Sequence, residues 1–288
     1  MPKRKRMMMT GALIFAMAAL IAWGAFERRD QSFARLQRAN VIHIGYAVEA
    51  PFAFLEAGDV TGAFPEIAKR VANALGIARI EWMQADFDAL IPALEAGRID
   101  VIAAGLFITQ ERAQRVAFSE PVIRVQQSLL VQKGNPRGLH SYQAAATRAD
   151  VSIAVIAGAV EETILRQIGV PDAQIIVVPD ALTGHVAVKS GMVDGLALSA
   201  PTIRWMALRS PLTSTEVAAP FEQPDLPFFK KIGYAAFAIR QTDRRLLSAW
   251  NRAQSDLMKE GDYLALLTAF GFDETELPEN ITTKELSM

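Results

Sequence analysis

The chain contains no cysteine and only three histidines, His43, His140 and His185. The missing cysteine excludes disulfides, thiol catalysis, cysteine metal sites and a lipid-modified N-terminal Cys. It leaves the redox compartment open, because exported proteins can also lack disulfides. The few histidines offer little for acid–base chemistry. His43 falls inside the first expected strand, and the other two fall in segments expected at the surface of a second unit. No charge of one sign dominates: 30 Lys and Arg face 31 Asp and Glu. That balance gives no reason to expect nucleic-acid binding or a polybasic surface. Metal-ligand spacings, phosphate loops and dinucleotide fingerprints are absent, so neither a metal nor a cofactor is expected. Gly45 and Gly62 are too scattered for a nucleotide motif and read as turn residues.

What is present is apolar. Of 288 residues, 51% are hydrophobic, ample for one large domain or two moderate ones and against disorder. Pro2–Arg6 reads PKRKR, and Met7–Phe26 then carries no charge. A basic start before an apolar run is an export signal. Ala22-Trp23-Gly24 offers small residues at the two positions read before a cut at Ala25. Left uncut, the run is long enough to anchor the chain in a bilayer. In both cases the remainder is expected outside the cytoplasmic membrane.

Residues 27–40 are charged and helix-compatible and read as a linker. Val41–Ala47 alternates and is rich in β-branched residues, as a strand does. Phe64–Leu75 has helical spacing and stops at Gly76. Ile80–Met83 is a strand, Phe87–Ala96 a helix, and Val101–Ala104 a strand apolar enough to be buried on both faces. Strand, helix, strand, helix, strand predicts a parallel α/β sheet with right-handed crossovers. The pattern restarts with strands at Gln127–Gln132, Ser152–Ile156, Gln174–Val178 and Gly195–Leu198, and helices at Glu161–Ile168 and Leu182–Ser190. After Pro220, Pro224 and Pro227 come a strand, Tyr234–Ile239, and helices Arg244–Lys259 and Tyr263–Ala269. The expected organisation is two α/β lobes, residues 41–131 with 233–288 and residues 132–232, around a central cleft.

In open parallel sheets the binding crevice lies beyond the carboxyl ends of the strands. That rule selects Glu49 and Phe52, Phe107 and Arg112, Gly158 and Ser199. Arg112 offers a planar fork that grips a carboxylate through two hydrogen bonds; read alone, it also fits a surface arginine paired with Glu111 or Glu120. Phe52, Phe87 and Phe107 singly suit a core, because large apolar residues face inward. Together they could form an aromatic box, worth about 0.5–2 kcal/mol per cation–π contact. Glu49 would add a full negative charge to the same cation, or stand as a solvated loop carboxylate. Gly158-Ala159-Val160-Glu161 opens a helix, where backbone N–H groups bind anions; an ordinary strand-to-helix turn fits as well.

GYAVEAPFAF, VTGAFPEIAKRVANALG, LIPALEAGRIDVIAAGLFITQERAQRVAFSEP and LLVQKGNP together resemble an extracellular solute-binding protein of family 3. These are amino-acid-type receptors of ABC importers, and the likeness covers nearly all of residues 41–288. The resemblance implies a type II periplasmic-binding fold that closes by hinge bending. It also implies a non-enzymatic, monomeric periplasmic receptor that delivers a small ligand to a permease. EAPF, ADFDALIP, AAGLFITQER and ELPENITTKEL look most like the family's ectoine- and hydroxyectoine-binding members. By that likeness Phe52, Phe87 and Phe107 form the box, Glu49 meets the positive ring nitrogens and Arg112 takes the carboxylate. Phe87 stands in place of a tyrosine. Typical amino-acid receptors carry a hydroxyl residue at the position of Phe107 and an acid at that of Ser199. Both would hold a primary ammonium, which here would be left desolvated at a cost of about 1–3 kcal/mol per lost partner. Gly158-Ala159 replaces a common Gly-Thr, removing a hydroxyl from the second lobe.

Overall fold

A computed structural model describes residues 30–209, 214–226 and 232–287. The expected signal or anchor, residues 1–26, lies outside them. Among the described residues, no helix is long and apolar enough to cross a membrane.

The strands are β1 Val41–Tyr46, β2 Phe54–Glu56, β3 Asp59–Thr61, β4 Arg79–Gln84, β5 Val101–Phe107, β6 Val116–Phe118, β7 Ile123–Gln132, β8 Ile153–Ile156, β9 Ile175–Val178, β10 Gly195–Ser199, β11 Thr215–Val217 and β12 Ile232–Arg240. The main sheet path runs β4-β1-β5-β12-β7-β10-β8-β9. Both units contain the expected parallel pairs: β1 with β4 and β5, and β8 with β9 and β10. β12 and β7 are antiparallel insertions between them.

β7 joins the two lobes. Through Gln126 it pairs with β12, and from Gln127 it pairs with β10. The crossing therefore lies inside a strand, a few residues before the break after residue 131 that the sequence suggested. At the point of exchange Gln127 N–H donates to Gln223 Oε1 (3.1 Å), and Gln223 Nε2 donates to Gln127 O (2.8 Å). The side-chain amide thus acts as a strand partner between β11 and β12, where the backbone ladder is interrupted. The Pro-containing segment supplies that amide from its described part, which ends at residue 226.

Each lobe has its own apolar layers. The helix Ala63–Ala74 buries Phe64, Ile67, Ala68 and Val71, one stripe at helical spacing. Its Pro65 sits in the first turn, where a missing N–H costs nothing. The stripe joins Phe237 and Trp250 in a core around β1, β5 and β12. In the second lobe Leu129, Ile153, Val155 and Ala197 pack with Tyr142 and Leu165. Part of the segment read as a linker is a helix, Ser32–Ala39, whose Leu36 is buried in the first lobe. The helix-compatible pattern is realised there, with Arg35 and Arg38 exposed and Ser32 and Leu36 buried. Gly45 is not a turn residue: it lies in β1, and a Cβ there would fall 2.4 Å from Ile99 Cδ1. Phe87 starts a 3-10 turn, Phe87–Ala89, ahead of the helix Leu90–Glu95.

Candidate functional site: a charged cavity between the lobes

Glu49 and Ala53 exchange backbone hydrogen bonds of 2.8 and 3.0 Å. This closes the loop after β1 and holds Glu49 and Phe52 side by side. Phe52 lies across Gly105, where a Cβ would fall 2.3 Å from its ring. Gly105 also has φ +64 inside β5, a left-handed conformation that glycine adopts freely. Phe107, the last residue of β5, covers Gly233, where a Cβ would fall 2.3 Å from its ring. Thr109 Oγ1 accepts from Arg112 N–H (3.2 Å) and caps the short helix Gln110–Ala113. The cap sets Arg112 back toward the cleft.

Glu49, Phe52, Phe87, Gly105, Phe107, Arg112, Ala159, Val160, Glu161, Leu198 and Ser199 line one cavity between the lobes. Eight of the nine residues singled out from the sequence are among them. The ninth, Gly158, touches the site through its carbonyl. In this arrangement the lobes are closed on each other, and the cavity of about 20 Å3 holds little more than one water molecule. A larger groove of about 560 Å3 between the helices Ser32–Ala39, Ala63–Ala74 and Arg244–Met258 touches none of these residues. Its charged groups sit at the surface, so the smaller, interlobe cavity is the candidate.

The three phenyl rings share the cavity in unequal ways. Phe52 is nearly buried and packs edge-on against Phe272, with ring centroids 5.5 Å apart. It is therefore part core and part wall. Phe87 faces Arg112, whose guanidinium carbon is 5.6 Å from the ring centroid. It also packs against apolar residues of both lobes. Val160 does the same from the opposite side.

Arg112 is not the surface ion pair that its neighbours Glu111 and Glu120 allowed. Its Nη1 donates to Phe107 O (2.9 Å) and its Nη2 to Gly158 O (2.8 Å). The second bond crosses the cleft. Burial draws its pKa down to about 10 against the opposing fields of Glu161 and Glu111, so it remains charged at neutral pH. Gly158 has φ +74, and a Cβ there would fall 2.9 Å from Asp88 Cβ of the first lobe. Ala159 N–H is committed to Ile156 O at 3.0 Å, which removes one of the backbone donors expected at this helix start.

Two functional side chains escaped the sequence reading. Thr202 Oγ1 donates to Glu49 Oε1 across the cleft at 2.7 Å and lies 3.2 Å from Ser199 Oγ. Glu161, at 3% exposure, is a buried carboxyl on the cavity wall. In sequence it reads as a first-turn acid complementing a helix dipole, and nothing in AVEE distinguishes its full burial from the partial exposure of Glu162. Burial pushes the Glu49 carboxyl up to about 7, with Thr202 acting to lower it. It pushes Glu161 to about 8, with Glu49 adding to the rise and Arg112 opposing it.

The histidines stand outside this constellation. His43 contacts Asp100 (3.1 Å) and Glu81 (3.2 Å), His140 contacts Pro220 O, and His185 contacts Thr215. Among the described residues no group of His, Asp and Glu is arranged to hold a metal ion.

Two lobes, two chain crossings and a shared charged cavity define a type II periplasmic-binding fold. The sequence pattern of the bacterial extracellular solute-binding proteins, family 3, matches residues 42–273, and the chain belongs to that family. It is 34% identical over 254 residues, 85% of its length and 82% of the relative's, to a probable amino-acid ABC transporter periplasmic-binding protein of Sinorhizobium fredii. Among solved structures it is similar to EhuB in complex with hydroxyectoine, at TM-score 0.81 and 30% identity over 90% of this chain and 98% of that one. It is also similar to an ancestral amino-acid-binding protein described as a precursor of cyclohexadienyl dehydratase, at TM-score 0.73 and 26% identity over 83% and 99% of the two chains. The family binds small ligands outside the cytoplasm for ABC importers.

Proposed function

We propose that this protein is the receptor of an ABC importer for ectoine or 5-hydroxyectoine, exported to the periplasm and acting as a monomer without enzymatic activity. The observation that carries the reading is that Phe52, Phe87 and Phe107 meet Glu49 and Arg112 around one cavity. Rings attract a delocalised cation such as a cyclic amidinium, Glu49 neutralises it, and Arg112 takes the ligand carboxylate in its fork. Phe107 and Ser199 supply no charge to a primary ammonium, which favours the ring zwitterion over an ordinary amino acid. Similarity to a hydroxyectoine-bound structure supports the same choice.

The ligand enters when the lobes part, which breaks the Glu49–Thr202 and Arg112–Gly158 bonds. As the lobes close, the ligand carboxylate takes the place of the Gly158 carbonyl at Arg112, and the Glu49–Thr202 bond re-forms beside the ligand cation. Only contacts specific to the closed form drive that closure, and the closed form is what the permease would recognise. Titration calorimetry of the full chain in mild detergent tests this reading. Heat with ectoine or hydroxyectoine is expected; no heat with either, alongside binding of a common amino acid, would reject the ligand.

A second reading has one observation in its favour. Glu49 and Glu161 supply two buried carboxyls near one cavity, as an acid–base enzyme of the dehydratase type would need. Loss of ligand mass during incubation with purified protein would establish it; an unchanged ligand supports the receptor.

A further inference from the structure

The side chains that line the cavity include three ionisable groups: Glu49 from the first lobe, Glu161 from the second, and Arg112. Arg112 reaches both lobes and is already bonded to two carbonyl oxygens. Glu49 has Thr202. Glu161 has less. It is 3% exposed, and among the described residues no other residue donates a hydrogen bond to its carboxylate. A buried carboxylate with so little compensation needs a positive partner or a proton. The other titratable groups that act on the set are Tyr142 in the second lobe, whose hydroxyl donates to Ser128 O at 2.8 Å, and Glu111 beside Arg112. Neither is a cation, and among the described residues no histidine lines the cavity.

We infer that Glu161 sets the net charge of what the cleft accepts: with Glu49 and Arg112 it leaves one negative charge uncompensated, so a zwitterion binds together with one proton, whereas a ligand of net charge +1 binds without one. The inference rests on the proposed use of this cavity as the ligand site, but not on ectoine being the ligand. When the lobes are apart, water solvates both carboxylates and each ionises at an ordinary pH. Closure over a zwitterion strips that water and leaves two acids against one guanidinium and one ligand cation, with the ligand carboxylate drawing on the guanidinium as well. A proton held by one acid restores neutrality. A ligand with two cationic centres gives each acid its own partner. The raised pKa values of Glu49 and Glu161 in the closed form agree with this charge count.

Calorimetry of the full chain at about pH 7.5, in buffers of different ionisation heat, counts protons taken up on binding. The probes are ectoine, a zwitterion, and L-arginine, a monocation. Ectoine is expected to take up close to one proton per molecule and to weaken up to tenfold per pH unit as the pH rises further. Arginine, if bound, takes up none. In Glu161→Gln, proton uptake with ectoine falls toward zero and its affinity becomes nearly independent of pH, while arginine weakens at least tenfold. Ectoine binding without proton uptake, or a Glu161→Gln variant with the parent's uptake and pH profile, would overturn the inference and leave the ectoine reading intact. No heat with ectoine, but arginine binding without uptake and weakened by Glu161→Gln, would reject ectoine and support the charge rule. Heat with neither probe would count against both.

Discussion

Glu49 and Thr202, 153 positions apart in the chain, meet across the cleft in a 2.7 Å hydrogen bond. One lobe supplies the acceptor and the other the donor, so this bond exists only when the lobes are shut. Thr202→Val keeps the side chain's shape and removes the donor. The closed form should lose about 1–2 kcal/mol, the value of a hydrogen bond to a charged or partly charged group. Ligand affinity should fall roughly tenfold, and small-angle scattering of the variant should show a larger radius of gyration. Unchanged affinity and shape would mean that the bond does not contribute to closure.

Gly158→Ala should oppose closure by a different route. Its backbone has φ +74, and the added methyl would approach Asp88 Cβ at 2.9 Å. The clash with Asp88 arises only where the lobes touch and falls on the closed state, whereas the positive-φ strain, about 1–2 kcal/mol, is carried by the second lobe in either state. Weaker binding together with a modest fall in melting temperature is the expected pattern. A variant that binds as the parent does would show that the lobes close with more room here.

Phe107 should matter for its ring and not only for its bulk. Phe107→Leu retains an apolar side chain but removes the aromatic face, costing about 1–2 kcal/mol of attraction to a ligand cation. Phe107→Ala adds a packing loss at a residue only 8% exposed, about 3–5 kcal/mol of stability for a buried aromatic. Calorimetry should therefore show weakened binding in both variants and thermal denaturation a large loss in the second alone. Parent-like affinity in Phe107→Leu would remove this residue from the box.

The ligand-free protein should become less stable as the pH rises from about 5 to about 8. The folded-state pKa values of Glu49 and Glu161 are raised, to about 7 and about 8. Between the ordinary carboxylate range and those values the folded protein holds more protons than the unfolded chain. Stability therefore falls with increasing pH across that window. At about 1.4 kcal/mol per pKa unit the two rises together bound the cost at roughly 8 kcal/mol, and opening of the lobes, which returns water to both carboxyls, relieves most of it. Melting temperature measured against pH should decline by several degrees, and Glu161→Gln should flatten the slope. Asp100 works in the opposite sense at the acid end. Burial opposes its ionisation, but hydrogen bonds from Arg240 and His43 outweigh that and hold its pKa below the usual range. Its contribution is present above the ordinary carboxylate value and lost as the pH falls through its lowered one.

Gln223 braces the strand that joins the two lobes. Its amide completes the ladder where β7 changes partner. Gln223→Ala leaves the N–H and C=O of Gln127 without those bonds. Amide exchange at Gln127 should quicken, and stability should fall by about 1 kcal/mol. Exchange as slow as in the parent would place the hinge elsewhere.

The sequence by itself determined the alternation of strands and helices, because a period of two and a period of 3.6 are written in consecutive side chains. It determined β5 as a buried strand from its unbroken apolar run, and it placed Phe52, Phe107 and Arg112 at strand ends from the same pattern. Tertiary structure alone decided the partner change inside β7, of which the sequence pattern marked only the half from Gln127 onward. It alone decided that Glu161 is buried while Glu162 beside it is not, and that Thr202 faces Glu49. Those facts depend on how two separately folded lobes meet. Local periodicity carries no information about a surface formed by segments more than a hundred residues apart, and the electrostatics of the cleft arise only there.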